Sequence, residues 1–229
     1  MKTIGILGGM SWESTTDYYR LLNRLAKEKM GGLHSAKCLM YSVDFGPVAE
    51  SMANGDWPAI ENELTGAAVK LEKAGADFLI IATNTMHKMA PRIASAVAIP
   101  LLHIADCAAE ALKKAGIKKA GLLGTKPTME MDFYRDILAD GGIEVLIPEE
   151  DDRAELHRII FEELCRGIVS EESRQKGLAM IDRLTRKGAE GLLLGCTELA
   201  MLFRPEDTDS PLFDTAAIHA QAASDLALA

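Results

Sequence analysis

Two stretches of this chain share one design. Gly188-Ala189-Glu190-Gly191-Leu192-Leu193-Leu194-Gly195-Cys196-Thr197-Glu198 runs in register with Gly75-Ala76-Asp77-Phe78-Leu79-Ile80-Ile81-Ala82-Thr83-Asn84-Thr85, which makes Thr83 the counterpart of Cys196. Each reads as a short apolar strand ending in a polar tip. A continuous apolar run of strand length belongs in a parallel sheet covered on both faces. In open α/β sheets ligands bind just beyond the carboxyl ends of the strands, so the two tips are the first places to look for chemistry.

The rest of the sequence extends the pairing. Ile4 to Gly9 lines up with Ala120 to Thr125, 116 positions on, while Thr83 and Cys196 are 113 apart. Two matched pairs at nearly one offset indicate internal duplication, with a period too long for a solenoid and suited to two homologous lobes. In the first cycle, hydrophobic spacing predicts strands at 3–7, 36–43, 77–82 and 100–104. Helices are expected at 12–29, capped by Ser11 or Ser14, at 59–74 and at 89–96. The second cycle reads as helix 107–114, strand 119–123, helix 131–140, strand 144–146, helices 153–167 and 170–187, and the strand leading to Cys196. A tail strand at 210–214 and a last helix are expected to return to the first lobe. The fold class is α/β, with two pseudo-symmetric lobes that are each a parallel sheet flanked by helices. The expected lobes are 1–98 plus 208–229, and 99–207.

Charge and cysteine usage narrow the function. A net charge of −9, with no basic cluster beyond Lys113-Lys114 and Lys118-Lys119, disfavours nucleic acid and anionic membrane as partners. No apolar run approaches the roughly 18 residues of a membrane span. The N-terminal stretch is too short and weakly charged for a secretion signal, so a cytoplasmic location is expected. Cys38, Cys107, Cys165 and Cys196 are widely spaced with no C-x-x-C pair, which predicts free thiols and neither disulfides nor a zinc cluster. Gly5, Gly8 and Gly9 do not satisfy the dinucleotide-binding spacing, and His34, His103 and His157 lack paired metal-ligand spacing. No metal or cofactor is expected.

The tips suit proton transfer at a carbon acid. Deprotonating Cα beside a carboxylate without a cofactor calls for one acid/base on each face of that carbon and donors to hold the carboxylate as charge grows. A thiol near a helix N-terminus can have its pKa lowered from ~8.5 toward neutrality, and Cys196 sits on such a strand-to-helix tip. Asn84, Thr85, Thr125, Thr128 and Thr197 supply hydroxyl, amide and backbone donors at the ends of the predicted strands.

Five motifs in order, Ile6-Leu7-Gly8-Gly9-Met10-Ser11, Asn84-Thr85-Met86-His87-Lys88, Gly124-Thr125-Lys126-Pro127-Thr128-Met129, Gly195-Cys196-Thr197-Glu198 and Phe213-Asp214-Thr215, resemble the aspartate/glutamate racemases, cofactor-independent amino-acid racemases. The resemblance spans essentially the whole chain. It implies an isomerase with its active site in the cleft between the lobes, one acid/base from each lobe, a small amino-acid substrate and a homodimer. Carried over, Cys196 takes the proton from the L-enantiomer, and Met10, Met52, Asn84, Thr85, Thr125, Thr128, Thr197 and Glu198 contact substrate. The family's first motif is usually Cys-Asn-Thr. Here Thr83 stands in place of that Cys, with His87 one turn on as a possible assistant. The segment 45–55, which often supplies a basic residue for a second carboxylate, has none, leaving Arg166, Lys126 or the Met10 backbone to compensate and strict aspartate specificity in doubt.

Plainer readings stand beside these. Cys38, Cys107 and Cys165 are expected to be structural thiols, Met129 and Met131 core filling, Trp12 and Trp57 lobe anchors, and Thr83 a helix cap. A superfamily decarboxylase using Cys196 alone as proton donor, and a non-catalytic amino-acid-binding protein, are the competing functions.

Overall fold

The computed structural model describes all 229 residues, which divide into two compact units, 1–104 with 219–229, and 105–218. In the first, β1 (Ile4–Gly8) leads to α1 (Trp12–Met30), β2 (Cys38–Ser42), α2 (Phe45–Ala53), α3 (Trp57–Lys73), β3 (Phe78–Ile81), a 3-10 turn (Thr85–Met89) and α4 (Ala90–Ala96). Its sheet has the order β2-β1-β3, all parallel, with Ile4 opposite both Cys38 and Phe78. β1 and β3 are buried throughout, as a covered parallel sheet requires, whereas β2 at the edge is partly exposed. Ser11 caps α1 by accepting from Ser14 N–H, and Tyr18, Leu22 and Ala26 recur every four residues on its buried face. Leu64, Leu79, Ile81 and Ile93 are fully buried in the core between sheet and helices, each contributing roughly 1.5–3 kcal/mol by leaving water.

The second unit repeats the construction. α5 (Ile104–Lys114), β4 (Lys119–Gly124), α6 (Lys126–Glu130), α7 (Asp132–Asp140), β5 (Glu144–Leu146) and α8 (Glu150–Arg158) come first. α8 runs on through a π turn (Ile159–Glu163) and a 3-10 turn (Leu164–Arg166), followed by α9 (Glu171–Arg186), β6 (Gly191–Gly195), α10 (Leu199–Leu202), a 3-10 turn (Pro205–Asp207), β7 (Leu212–Asp214) and α11 (Thr215–Leu228), whose residues from His219 on belong to the first unit. The sheet order is β5-β4-β6-β7, again parallel.

The duplication holds at the level of single hydrogen bonds. Gly75 and Gly188, at φ +100° and +97°, make the same left-handed turn before β3 and β6, a conformation glycine adopts without steric cost. Asp77 N–H donates to Thr3 O at 2.8 Å while its carboxylate accepts from Thr3 N–H at 2.6 Å; Glu190 N–H donates to Lys119 O at 2.8 Å and its carboxylate accepts from Lys118 N–H at 2.6 Å. Leu79 N–H bonds Pro100 O, and Leu192 N–H bonds Pro211 O.

Several expectations are corrected. The predicted strand 100–104 shrinks to one bridge, Leu79 to Leu101, because helix α5 begins at Ile104. The tail strand expected with the first lobe pairs instead with β6, Leu192 opposite Leu212, and extends the second sheet. Residues 45–53 form α2, which Asp44 caps by accepting from Gly46 N–H. The single helix expected at 153–167 is interrupted by the π turn. Trp12 is 66% exposed and anchors nothing, whereas Trp57 packs against the first unit's core beneath the Lys88 ammonium. No helix is long and apolar enough to cross a membrane.

The first unit also holds a fully buried imidazole. His219, on α11, donates from Nε2 to Leu102 O (3.0 Å) and pairs Nδ1 with the Tyr18 hydroxyl (2.9 Å). Burial pushes its pKa from 6.5 down to about 4, with nearby His103 adding to the effect. Between those values the unfolded chain carries the extra proton, so this contribution to stability is complete above pH 6.5 and is lost as pH falls toward 4, amounting to ~3 kcal/mol. Urea unfolding midpoints are expected to fall between pH 7 and 4.5, with a shallower slope in His219→Gln; equal slopes in the two proteins would contradict this.

Candidate active site

At the second tip the strand ends leave no room for side chains. Gly124 lies opposite Gly195, and a Cβ on Gly124 would approach Gly195 O to 2.9 Å. Small residues are therefore required there, and Thr125 and Cys196 leave the sheet from adjacent strands. Thr125 caps α6, accepting from Thr128 N–H at 3.4 Å, and its hydroxyl lies 3.1 Å from that of Thr128; both residues are buried. The end of β6 is fixed from β7's side, where the buried Thr215 hydroxyl donates to Leu194 O at 2.7 Å and Asp214 caps α11 by accepting from Ala216 and Ala217 N–H. The motif Phe213-Asp214-Thr215, read in the sequence as part of the family resemblance, thus closes the end of β6 and opens α11.

Cys196 is buried, and its thiol donates to Glu198 Oε2 at 3.0 Å; the Thr197 hydroxyl donates to the same oxygen at 2.6 Å. Glu198, itself 5% exposed, thus accepts from both residues that precede it. Burial first, then the Glu198 charge and the nearby Cys165, hold the Cys196 pKa well above its ordinary value. This reverses the expectation of a thiol acidified by a helix N-terminus. The helix that follows, α10, has only four residues and begins three positions on, too short and too far to offset a neighbouring carboxylate. The resting thiol is protonated.

At the first tip Thr83 follows β3 and is half-buried, while Asn84 and Thr85 are buried at the start of the 3-10 turn. His87 does not reach the Thr83 hydroxyl. Its Nδ1 bonds the Thr83 carbonyl at 2.8 Å and its Nε2 accepts from Ile104 N–H at 3.2 Å, so both nitrogens are committed to backbone. Met10 belongs to the apolar core and Met52 packs against it. Arg166 is exposed at the end of its 3-10 turn, and Lys126 begins α6 with its N–H directed to His157 Nδ1 at 3.3 Å. Each tip thus gathers its own polar residues: Cys196, Thr197, Glu198, Thr125 and Thr128 in one unit, Thr83, Asn84 and Thr85 in the other. Cys38 and Cys107 are poor nucleophiles, since burial pushes Cys38 up to about 11 and Cys107 up to about 12.

The two parallel sheets flanked by helices agree with comparison to known proteins. Residues 7–223 match the Asp/Glu/Hydantoin racemase family, and the chain belongs to that family. It is 27% identical to the broad specificity amino-acid racemase RacX of Bacillus subtilis, over 93% of each chain. Among solved structures, an Asp/Glu racemase candidate from Yersinia pestis is 50% identical with a TM-score of 0.93, and an aspartate racemase homologue from Pyrococcus horikoshii is 36% identical with a TM-score of 0.86; both alignments cover 100% of each chain. The protein is an isomerase of the racemase class.

Because the Glu198 charge disfavours the thiolate, Glu198→Gln is expected to lower the Cys196 pKa. This is read from the pH dependence of thiolate absorbance near 240 nm, or of alkylation rate, in a variant lacking the other three cysteines. An unchanged or raised pKa would mean that the carboxylate is not what holds the proton on sulfur.

Proposed function

We propose that this chain is a cytoplasmic, pyridoxal-independent amino-acid racemase acting on aspartate, glutamate or a broader set of small amino acids. The observation that carries the reading is the Cys196 thiol donating to the buried Glu198 carboxylate at 3.0 Å. A protonated thiol cannot abstract a proton, but it has an acceptor in contact. Moving its proton to Glu198 gives a thiolate and a neutral carboxyl group. The thiolate then takes the Cα proton of the L-enantiomer, becoming a thiol again while the electron pair remains on the substrate. Thr83, directly or through water, supplies a proton to the opposite face to give the D-enantiomer; Thr83 regains a proton from solvent and the Glu198 carboxyl group releases one to solvent, which restores the starting state. Backbone N–H groups and the hydroxyl and amide groups of Asn84, Thr85, Thr125, Thr128 and Thr197 are assigned to the substrate carboxylate, where preorganised donors act most strongly on growing negative charge. Support for an amino-acid substrate comes from RacX and from the aspartate racemase homologue. A homodimer is part of the proposal, and exposed Trp12 and Tyr19, seven residues apart on α1, offer apolar surface for it.

A second reading is favoured by the same protonated thiol. A decarboxylase needs only a proton donor on one face, because loss of carbon dioxide generates the carbanion.

Incubation of L-aspartate, L-glutamate and a panel of other L-amino acids in deuterated water distinguishes these readings. Exchange at Cα with inversion is expected. Exchange with retention alone would leave Cys196 as the sole working group, and binding without exchange would sink the racemase reading. Cys196→Ser should lower kcat/KM by about 10²-fold or more, the scale of a positioned acid/base. Thr83→Cys should raise kcat/KM equally in both directions, since enantiomers have equal free energy in achiral solution; a loss of activity would show that Thr83 has a role a thiol cannot take.

A further inference from the structure

Under the first tip lies a group of three imidazoles that the reaction above does not use. His87 is fully buried, with its ring centroid 4.5 Å from that of His103 and 5.6 Å from that of His219. A carbonyl oxygen only accepts and an amide N–H only donates. The contacts of His87 to Thr83 O and Ile104 N–H therefore fix a neutral ring protonated on Nδ1. His219 is fixed in the opposite tautomer by the Tyr18 hydroxyl and Leu102 O. Together the two rings bond the backbone on either side of His103, at Leu102 and Ile104, and His87 links that segment to the Thr83 carbonyl just beyond β3.

We propose that His87 is a positioning residue for proton delivery at the Thr83 tip, holding the Thr83 carbonyl so that the backbone aims the hydroxyl. This rests on the racemase reading of Thr83. Threonine is β-branched and has one side-chain torsion before its hydroxyl, so backbone orientation largely decides where that oxygen sits. The ring bonds the carbonyl of the same residue, four positions back across the 3-10 turn, and the bond does not compete with the hydroxyl for a proton. A displacement of about 1 Å in a reacting group costs on the order of 10²-fold in rate, which makes such a fixture consequential.

The test compares inversion with exchange in one molecule. Starting from L-aspartate and L-glutamate in deuterated water, exchange with retention reports Cys196 and inversion reports the Thr83 side. In His87→Leu, inversion is expected to fall about 10-fold or more while exchange with retention stays within about 3-fold of wild type. In His87→Asn, whose amide nitrogen sits where Nδ1 does, inversion should return to within about 3-fold of wild type. If His87→Leu loses both rates in proportion, or His87→Asn restores both in proportion, His87 serves only the fold and the proposal fails. Wild-type inversion in His87→Leu also overturns it. Thr83→Ala retaining full inversion, or wild type showing no exchange with either substrate, would instead remove the racemase reading of Thr83 and the positioning role with it.

Discussion

A buried carboxylate is costly unless donors replace the water it has lost, and Glu198 obtains two of its donors from residues directly before it in the chain. The Thr197 hydroxyl and the Cys196 thiol both point at Oε2. The proton on sulfur is therefore part of what allows the carboxylate to be buried, and the carboxylate is part of what keeps the proton on sulfur. Stability and reactivity at this tip are one interaction. Its geometry depends in turn on two glycines whose backbones approach too closely for any side chain, so that the end of β6 can lie against β4 while its polar residues turn out of the sheet.

The first tip answers the same demand differently. There the turn is held by the His87 imidazole, bonded at both nitrogens to backbone and kept neutral by burial. A neutral ring adds no charge beside the residue it supports, whereas Glu198 puts a charge next to a thiol. The duplicated backbone, alike at the turns of Gly75 and Gly188, thus carries two electrostatic environments. What differs lies within a few residues after each strand.

That division explains what could be read in advance. The strands, the repeat and the two tips were legible because buried parallel strands write themselves as unbroken apolar runs ended by small residues. The pairing of β7 was not, since a three-residue edge strand carries no pattern of its own and its partner is set by the sheet it happens to extend. Trp12 was misread because size suggests burial, yet position on the helix face decides it. Cys196 and Thr125 follow strand ends, as their spacing implies, and Thr128 lies in the first turn of α6, but the partnership of Glu198 with the thiol depends on side-chain direction after a turn. An acidic residue two positions from a cysteine reads equally well as a substrate ligand.

The inequality of the two tips does not conflict with the racemase reading proposed above. Equal free energies of enantiomers fix the ratio of the forward and reverse kcat/KM, not their size. A hydroxyl is a weak acid, but the carbanion it protonates is a strong base, so delivery from Thr83 can be favourable even where removal of a proton by the same group is slow. Microscopic reversibility then requires the D-to-L reaction to use the unfavourable step, and the difference must reappear as tighter binding or a smaller kcat for one enantiomer. A residue that fixes the hydroxyl by its backbone, without competing for its proton, is the kind of support such a weak group needs. Exact aim is what it has in place of acidity.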